Sequence, residues 1–355
     1  MSVNISLVHT TYGAQIAYVQ LNAPERINAQ NLAMVRQMAD ALTCWKDNEQ
    51  VVAVILTGAG ERGFCAGGDL KALYHAMNTP GQLSEGDAFF AEEYRLCQRI
   101  REFGKPVLAW GTGIVMGGGW GLFAAASHRI VTENSHLAMP ETGIGLFPDV
   151  AASWWLPQLR GAGRFLALTG ATLNACDALA LGAADWVLPD AARHDVLAAL
   201  AKLPWRGHDD GALLSEFLQS RRLTDPPGRT QLIPHLDDLG LCCERDFHSA
   251  VAALLQLKSS DSHYLQHAAH RLENASPTSL YLSWVLQARC AAKSMAETVD
   301  IETRMVQACL RYGDFKTGIY STLFDRRHTP CWRLADYRAV EHDALRAEFP
   351  LLGIL

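Results

Sequence analysis

Charge is scarce in this sequence. Asp, Glu, Lys and Arg make up only 19% of its 355 residues, and the 31 cations, set against 37 anions, form no run of Lys or Arg. Phosphate-backbone recognition depends on clustered cations, so nucleic acid is not an expected partner. Low charge with 49% hydrophobic residues also excludes disorder. Paired cysteine spacing is missing as well: Cys44, Cys65, Cys97, Cys176, Cys242, Cys243, Cys290, Cys309 and Cys331 are odd in number, scattered, and include no C-x-x-C. Neither a disulfide framework nor a zinc cage is expected. The N-terminus shows no basic segment followed by an apolar one, hence no secretory signal and no Arg-rich transit peptide; the expectation is a reduced, cytoplasmic protein. One uncharged stretch, 107–127, is long enough to cross a bilayer, but its six glycines fit a strand, a glycine turn and a buried helix better. No membrane association is expected.

What is present alternates between extended and helical signals. Ile16 to Leu21 reads as a strand, and Leu32, Met34, Val35, Met38, Leu42 and Trp45 recur at helical spacing across 31–47. The apolar run 51–57, closed by Gly58-Ala59-Gly60, reads as a fully buried strand; 106–110 and 128–132 read as two more. Helices are expected over 87–103, 118–126, 163–169 and 176–181. The fold class is therefore α/β. After about Pro204 the texture changes and few strand-like runs remain, which divides the chain into a core, 1–204, and a helical C-terminal region, 205–355. No fixed-period repeat is present.

Three segments could carry chemistry. In Gly63-Phe64-Cys65-Ala66-Gly67-Gly68-Asp69-Leu70 the small residues let a backbone N–H approach a ligand, although a turn explains them equally well. Gly117-Gly118-Gly119 lies between a strand-like and a helix-like run, where free N–H groups and the helix dipole would face an anion; the other reading is close helix–sheet packing. Two such donors converging on one point would make an oxyanion hole. In the third segment, Met139-Pro140-Glu141-Thr142-Gly143-Ile144-Gly145-Leu146-Phe147-Pro148-Asp149, glycines and a proline between the two carboxylates indicate a loop that can turn both towards one cavity. Among apolar neighbours a carboxylate finds partners or titrates high, which suits acid–base work; solvated surface groups are the alternative.

These three segments, in this order and spacing, resemble the crotonase (enoyl-CoA hydratase/isomerase) superfamily. The likeness extends to Leu21-Asn22-Ala23-Pro24-Glu25-Arg26-Ile27-Asn28-Ala29 and, in the second half, to Ser276-Pro277-Thr278-Ser279-Leu280, Asp314-Phe315-Lys316-Thr317-Gly318 and Pro330-Cys331-Trp332. The stretch from Glu141 to Asp149 and the C-terminal motifs point to its thioester-hydrolase branch. The resemblance implies a spiral of ββα units that binds an acyl-coenzyme A, with the thioester oxygen between the N–H groups of Gly68 and Gly118. Losing one such donor typically costs about 2.7–4 kcal/mol of barrier. It further implies Glu141 as catalytic base or nucleophile, Asp149 as its partner, and Glu93 as a substrate-contacting acid. The expected activity is hydrolysis of a 3-hydroxyacyl-CoA such as 3-hydroxyisobutyryl-CoA, a step of valine degradation. Hydratases of the superfamily use two glutamates; one matches Glu141, but the other falls on Gly121, which has no side chain. Hydration or isomerisation of an enoyl-CoA is thereby disfavoured, and a catalytically silent CoA-ester binding module is the rival of a different class.

The resemblance implies no cofactor, coenzyme A entering as part of the substrate. Ala23 stands where the superfamily often has Arg, so Arg26, Arg62 and Lys71 are all candidates for the coenzyme's phosphates. Members often form trimers or hexamers, and a homo-oligomer is compatible; the C-terminal region would complete the active site or cover the assembly surface. His263, His267 and His270 share helical spacing without a carboxylate at ligand distance, so no metal is expected there. Cys65 has no sequence-adjacent base and reads as a small buried residue, and Trp154, Trp155 and Trp205 as packing.

Overall fold

The computed structural model describes residues 2–325, 327 and 329–350. Its strands are β1 Ser2–His9, β2 Gln15–Asn22, β3 Val51–Gly58, β4 Gly63–Cys65, β5 Val107–Gly111, β6 Ile114–Met116, β7 His128–Val131, β8 His136–Ala138 and β9 Trp186–Val187. A six-stranded sheet has the order β1-β2-β3-β5-β7-β9, and a three-stranded sheet the order β4-β6-β8. Apart from the antiparallel β1–β2 pair, the strands of the larger sheet run parallel. The pairs β3/β4, β5/β6 and β7/β8 each give one strand to each sheet and then pass into helical structure: Leu70–Asn78, Gly118–Ala125 and the short turn Glu141–Ile144. This is the expected spiral of ββα turns. Beyond β9 every named element is helical among the described residues, as the change of texture after Pro204 implies.

Local sequence accounts for the elements that carry the site. All eight positions of β3 are buried, because a parallel strand covered on both faces needs apolar side chains throughout. The helix Leu32–Lys46 buries Met34, Val35, Met38, Leu42 and Trp45, and the Asn31 side chain caps it by accepting from the Met34 N–H at 2.9 Å. The sequence offered no comparable signal for β1. Val3 is its one buried residue and Ile5, Leu7 and Val8 are exposed, so it has no buried face and its existence depends on pairing with β2.

The chain gathers into two compact units, neither of them one continuous run: Met1–Gly68 with Arg95–Leu137 and Leu173–Thr230, and Asp69–Tyr94 with Ala138–Thr172 and Gln231–Leu355. The first has a core of Ile16, Ile55, Leu108, Trp110, Ile130, Leu188 and Trp205, and the Trp205 indole N–H donates to the Leu200 carbonyl at 2.7 Å. The second is mostly helical, with Pro277–Cys290 and Met295–Tyr312 among its longest members. In the first unit Gly117 has φ 54° and ψ −129°, a backbone state that suits glycine alone, and it caps the helix Gly118–Ala125. Gly119 is required for a different reason: a Cβ there would overlap the Cys65 backbone carbonyl.

Gly119→Ala should lower stability by about 1–3 kcal/mol through overpacking, read as an earlier urea midpoint at unchanged slope. Gly240→Ala, at a helical position with open space around a new Cβ, should be neutral or stabilising in the same assay.

Candidate active site

In the first unit, the loop leaving β4 is tied to the chain after β2. Ala66 N–H donates to the Ile27 carbonyl at 2.9 Å, and Gln30 N–H to the Gly67 carbonyl at 2.8 Å. Asn28, fully buried, accepts from Ala23 N–H at 3.0 Å and donates to the carbonyls of Ala59 and Gly63 at 2.9 and 3.0 Å. The motif around Asn28 is thus a buckle that fixes the loop between β3 and β4. Gly67 adopts φ 100°, and a Cβ on it would stand 3.4 Å from the Gly118 nitrogen, so the two glycine turns meet. Gly118 opens its helix, where no preceding turn supplies an acceptor. Among the described residues neither the Gly68 nor the Gly118 N–H has a backbone acceptor. The Cys65 thiol is buried and donates to the Asn28 carbonyl at 3.2 Å, the bond of a packed side chain.

The second unit gathers the carboxylates. Glu141 opens the turn Glu141–Ile144, which closes through Gly145 in the left-handed region and a bond from Leu146 N–H to the Glu141 carbonyl at 3.0 Å. Thr142 pins the turn on both sides, its hydroxyl donating to the Leu168 carbonyl at 3.2 Å and its carbonyl accepting from Ser276 N–H at 2.9 Å. The C-terminal motifs brace it further. Gly145 lies against the Asp314 backbone and Gly318 against that of Ile144, too close for any side chain at either glycine. The Ser276 hydroxyl donates to Asp314 Oδ2 at 2.6 Å, and Arg333 N–H to Asp314 Oδ1 at 2.9 Å.

Glu93, Glu141 and Asp149 are all buried, and they share one electrostatic environment. Burial, then the Asp149 charge, pushes Glu93 and Glu141 well above the ordinary carboxylate range. Asp149 is pushed up to about 6 by burial; the Tyr94 hydroxyl, donating to its Oδ2 at 2.7 Å, holds it down. All three are displaced upward, and because they interact the cluster titrates as a unit. Glu141 Oε2 is buried with no hydrogen-bond partner among the described residues. Such an oxygen is costly to keep, and it is free to accept a proton or to attack.

Of the residues singled out in the sequence, the structure brings Glu93, Glu141 and Asp149 together in one unit and the Gly68 and Gly118 turns together in the other. Arg26, Arg62 and Lys71 are all exposed. His263, His267 and His270 lie on the exposed face of the helix His263–Asn274. Sequence reasoning missed Tyr94 and Glu302. Glu302 is fully buried and accepts from the N–H groups of Ala151 and Ser153 at 2.6 and 3.0 Å. The available signal was a carboxylate on a helix face otherwise formed by Val299, Met305, Val306 and Cys309. No helix among the described residues is long and apolar enough to cross a membrane.

Residues 16–349 match the family model for enoyl-CoA hydratase/isomerase. The chain is 34% identical over 336 residues to the mitochondrial 3-hydroxyisobutyryl-CoA hydrolase of Rattus norvegicus, and 32% identical over 336 residues to that of Homo sapiens. Each alignment covers 94% of this chain and 86% of the relative. Two solved structures superpose with TM-scores of 0.84: a carnitinyl-CoA dehydratase from Mycobacterium thermoresistibile, 32% identical over 97% of this chain and 96% of that one, and an enoyl-CoA hydratase from Rhodobacter sphaeroides, 30% identical over 99% and 98%. With its alternating ββα turns, paired glycine turns and buried Glu141 loop, the chain belongs to the enoyl-CoA hydratase/isomerase family.

Proposed function

We propose that this protein hydrolyses a 3-hydroxyacyl-CoA thioester, 3-hydroxyisobutyryl-CoA being the substrate favoured by the names of its relatives. The observation that carries the reading is the buried, unpartnered Oε2 of Glu141, whose ionisation burial and the Asp149 charge displace upward. In this mechanism the N–H groups of Gly68 and Gly118 receive the thioester oxygen as it gains charge. Glu141 supplies the attack, directly to give an acyl anhydride that water then opens, or by taking a proton from water that adds to the carbonyl. Either way a carbon–oxygen bond replaces the carbon–sulfur bond and coenzyme A departs as thiolate; the proton that restores its thiol comes from the water consumed, through Glu141 in the general-base route and from the water that opens the anhydride in the other. Asp149 orients substrate or water, and Glu93, kept neutral by burial, offers a hydrogen bond to the substrate. The chemistry is redox-neutral and calls for no cofactor beyond the coenzyme A of the substrate. On this substrate the reaction belongs to valine degradation. The proposed location is cytoplasmic, on scattered cysteines that are all free thiols; a homo-oligomer is compatible with the chemistry.

A second reading, hydration of an enoyl-CoA, is favoured by the extra buried acid Glu93 and by the names of the solved structures. Against it stands Gly121, buried in the helix Gly118–Ala125 with only its N–H to offer, and that N–H donates to the Gly117 carbonyl at 3.1 Å.

With 3-hydroxyisobutyryl-CoA the protein should release free thiol, and with crotonyl-CoA it should show no hydration; the opposite pattern would replace the first reading with the second. Glu141→Ala should lower turnover by about 10²–10⁴-fold, and Asp149→Ala should also slow it, while acyl-CoA binding survives in calorimetry. Wild-type turnover in both variants would defeat the role assignment. Because Glu141 must be ionised to act and its ionisation is displaced upward, kcat/KM should rise with pH beyond the usual carboxylate range; a flat profile across pH 5–8 would count against it. Stability should run the other way. Groups whose folded-state values are raised, Asp149 to about 6 and Glu302 to about 8, stabilise the fold fully at low pH and lose that contribution as pH climbs through those values. The loss runs from each group's ordinary value up to its raised one, so the thermal midpoint should fall by several degrees or more between about pH 4 and 8, as scanning calorimetry would read.

A further inference from the structure

The chain around Asp149 is held in an unusual shape. Val150 and Ala151 both adopt positive φ, 52° and 62°. This region is rare for any residue with a Cβ and rarer for a β-branched one, and it persists only where surrounding structure enforces it. Val150 is wholly buried, and its carbonyl accepts from the Trp155 indole N–H at 3.3 Å. The Asp149 carbonyl accepts from Ala152 N–H at 2.8 Å. These local bonds close the turn but leave the N–H groups of Ala151 and Ser153 to be satisfied, and both are taken by one distant side chain, Glu302 of the helix Met295–Tyr312.

We propose that Glu302 is a positioning residue for the reaction: its carboxyl clamps the left-handed turn at Val150 and Ala151 and so fixes the direction in which Asp149 presents its carboxyl group. A carboxyl on an apolar helix face costs desolvation that Leu or Met would avoid, so its presence there calls for a polar task, and the two N–H groups are that task. Asp149 is thus held from two sides, by the Tyr94 hydroxyl at Oδ2 and by Glu302 through the following turn. Strained backbone next to a proposed reacting group is where preorganisation is stored, and the clamp is what keeps it. The inference rests on the reading of Asp149 as a group of the reaction.

The test is a double-mutant cycle on the full-length protein with the acyl-CoA substrate. Glu302→Ala should lower kcat by about tenfold or more with KM changed less than about threefold, and Glu302→Gln, whose amide oxygen can still accept one N–H, should recover part of the loss. In an Asp149→Asn background, adding Glu302→Ala should cost less than about twofold further, because the clamp has nothing left to position. If Glu302→Ala does not fold, Glu302→Gln in the same two backgrounds gives the same comparison. Losses that multiply in the double variant would mean a purely structural role and overturn the inference. A slow Asp149→Asn beside Glu302 variants of normal kcat would overturn it alone, whereas wild-type turnover in Asp149→Asn would overturn both it and the role given to Asp149.

Discussion

Several carboxyl groups share one buried region, and no cation figures among the groups that set their ionisation. Removing a carboxylate from water is expensive, and protonation, hydrogen bonding or an opposite charge can offset the cost. Here the first two do so. Glu93 and Glu141 are displaced towards the protonated form; Asp149 is relieved by a phenol hydroxyl, and Glu302 by two backbone N–H groups. The arrangement makes each group differently basic. A set of acids with separated ionisation is what lets one site hold a proton at one position and remove one at another. A lysine or arginine among them would instead favour the ionised forms and make the nearest carboxylates weaker bases.

Keeping such groups buried demands a rigid frame, and the C-terminal half supplies it. The turn carrying Glu141 is short, contains glycines and has little apolar surface of its own to order it. Its order comes from contacts distant in sequence: Ser276 on the Thr142 carbonyl, the Asp314 backbone against Gly145, and Ile144 against Gly318. Asp314 in turn is fixed by Ser276 and by the Arg333 backbone. The motifs Ser276-Pro277-Thr278-Ser279 and Asp314-Phe315-Lys316-Thr317-Gly318 are thus explained by backbone proximity, which is why small residues stand at the points of contact. A substitution there would release the Glu141 turn.

The parts legible in the sequence were those whose cause is local. The run 51–57 is readable as a covered strand because every residue in it must be apolar, and Gly117-Gly118-Gly119 as a helix entry because two of its glycines answer to backbone geometry and close packing. Glu93, Glu141 and Asp149 were legible through family resemblance, and their shared burial then follows from the fold. β1 was not legible, because its apolar residues define no buried face. Nor was the tie between Tyr94 and Asp149, or that between Glu302 and Ala151, which spans 151 positions of chain. A lone acid on an apolar helix face signals that a partner exists, but the partner is two backbone N–H groups, and backbone groups leave no mark in a sequence.

The family resemblance constrains chemistry less than it constrains shape. Solved relatives that superpose well on this chain are a dehydratase and a hydratase, and the curated relatives are thioester hydrolases. One fold thus carries differently named reactions, and the fold alone does not discriminate between them. What discriminates is how many acids reach the reacting atoms and from where. Adding water across a double bond needs one group to hold water and another to deliver a proton to carbon, whereas breaking the thioester needs one attacking oxygen and a leaving thiol that is already a weak base. At position 121 the helix Gly118–Ala125 offers only a hydrogen atom as side chain, while the Glu141 loop keeps a carboxyl oxygen without a partner. The balance of acids in this chain therefore favours hydrolysis. Glu93 is a further buried acid, displaced towards the protonated form by burial and by the charge of Asp149, and it is the group that the proposed hydrolysis has to leave without a proton to deliver to carbon.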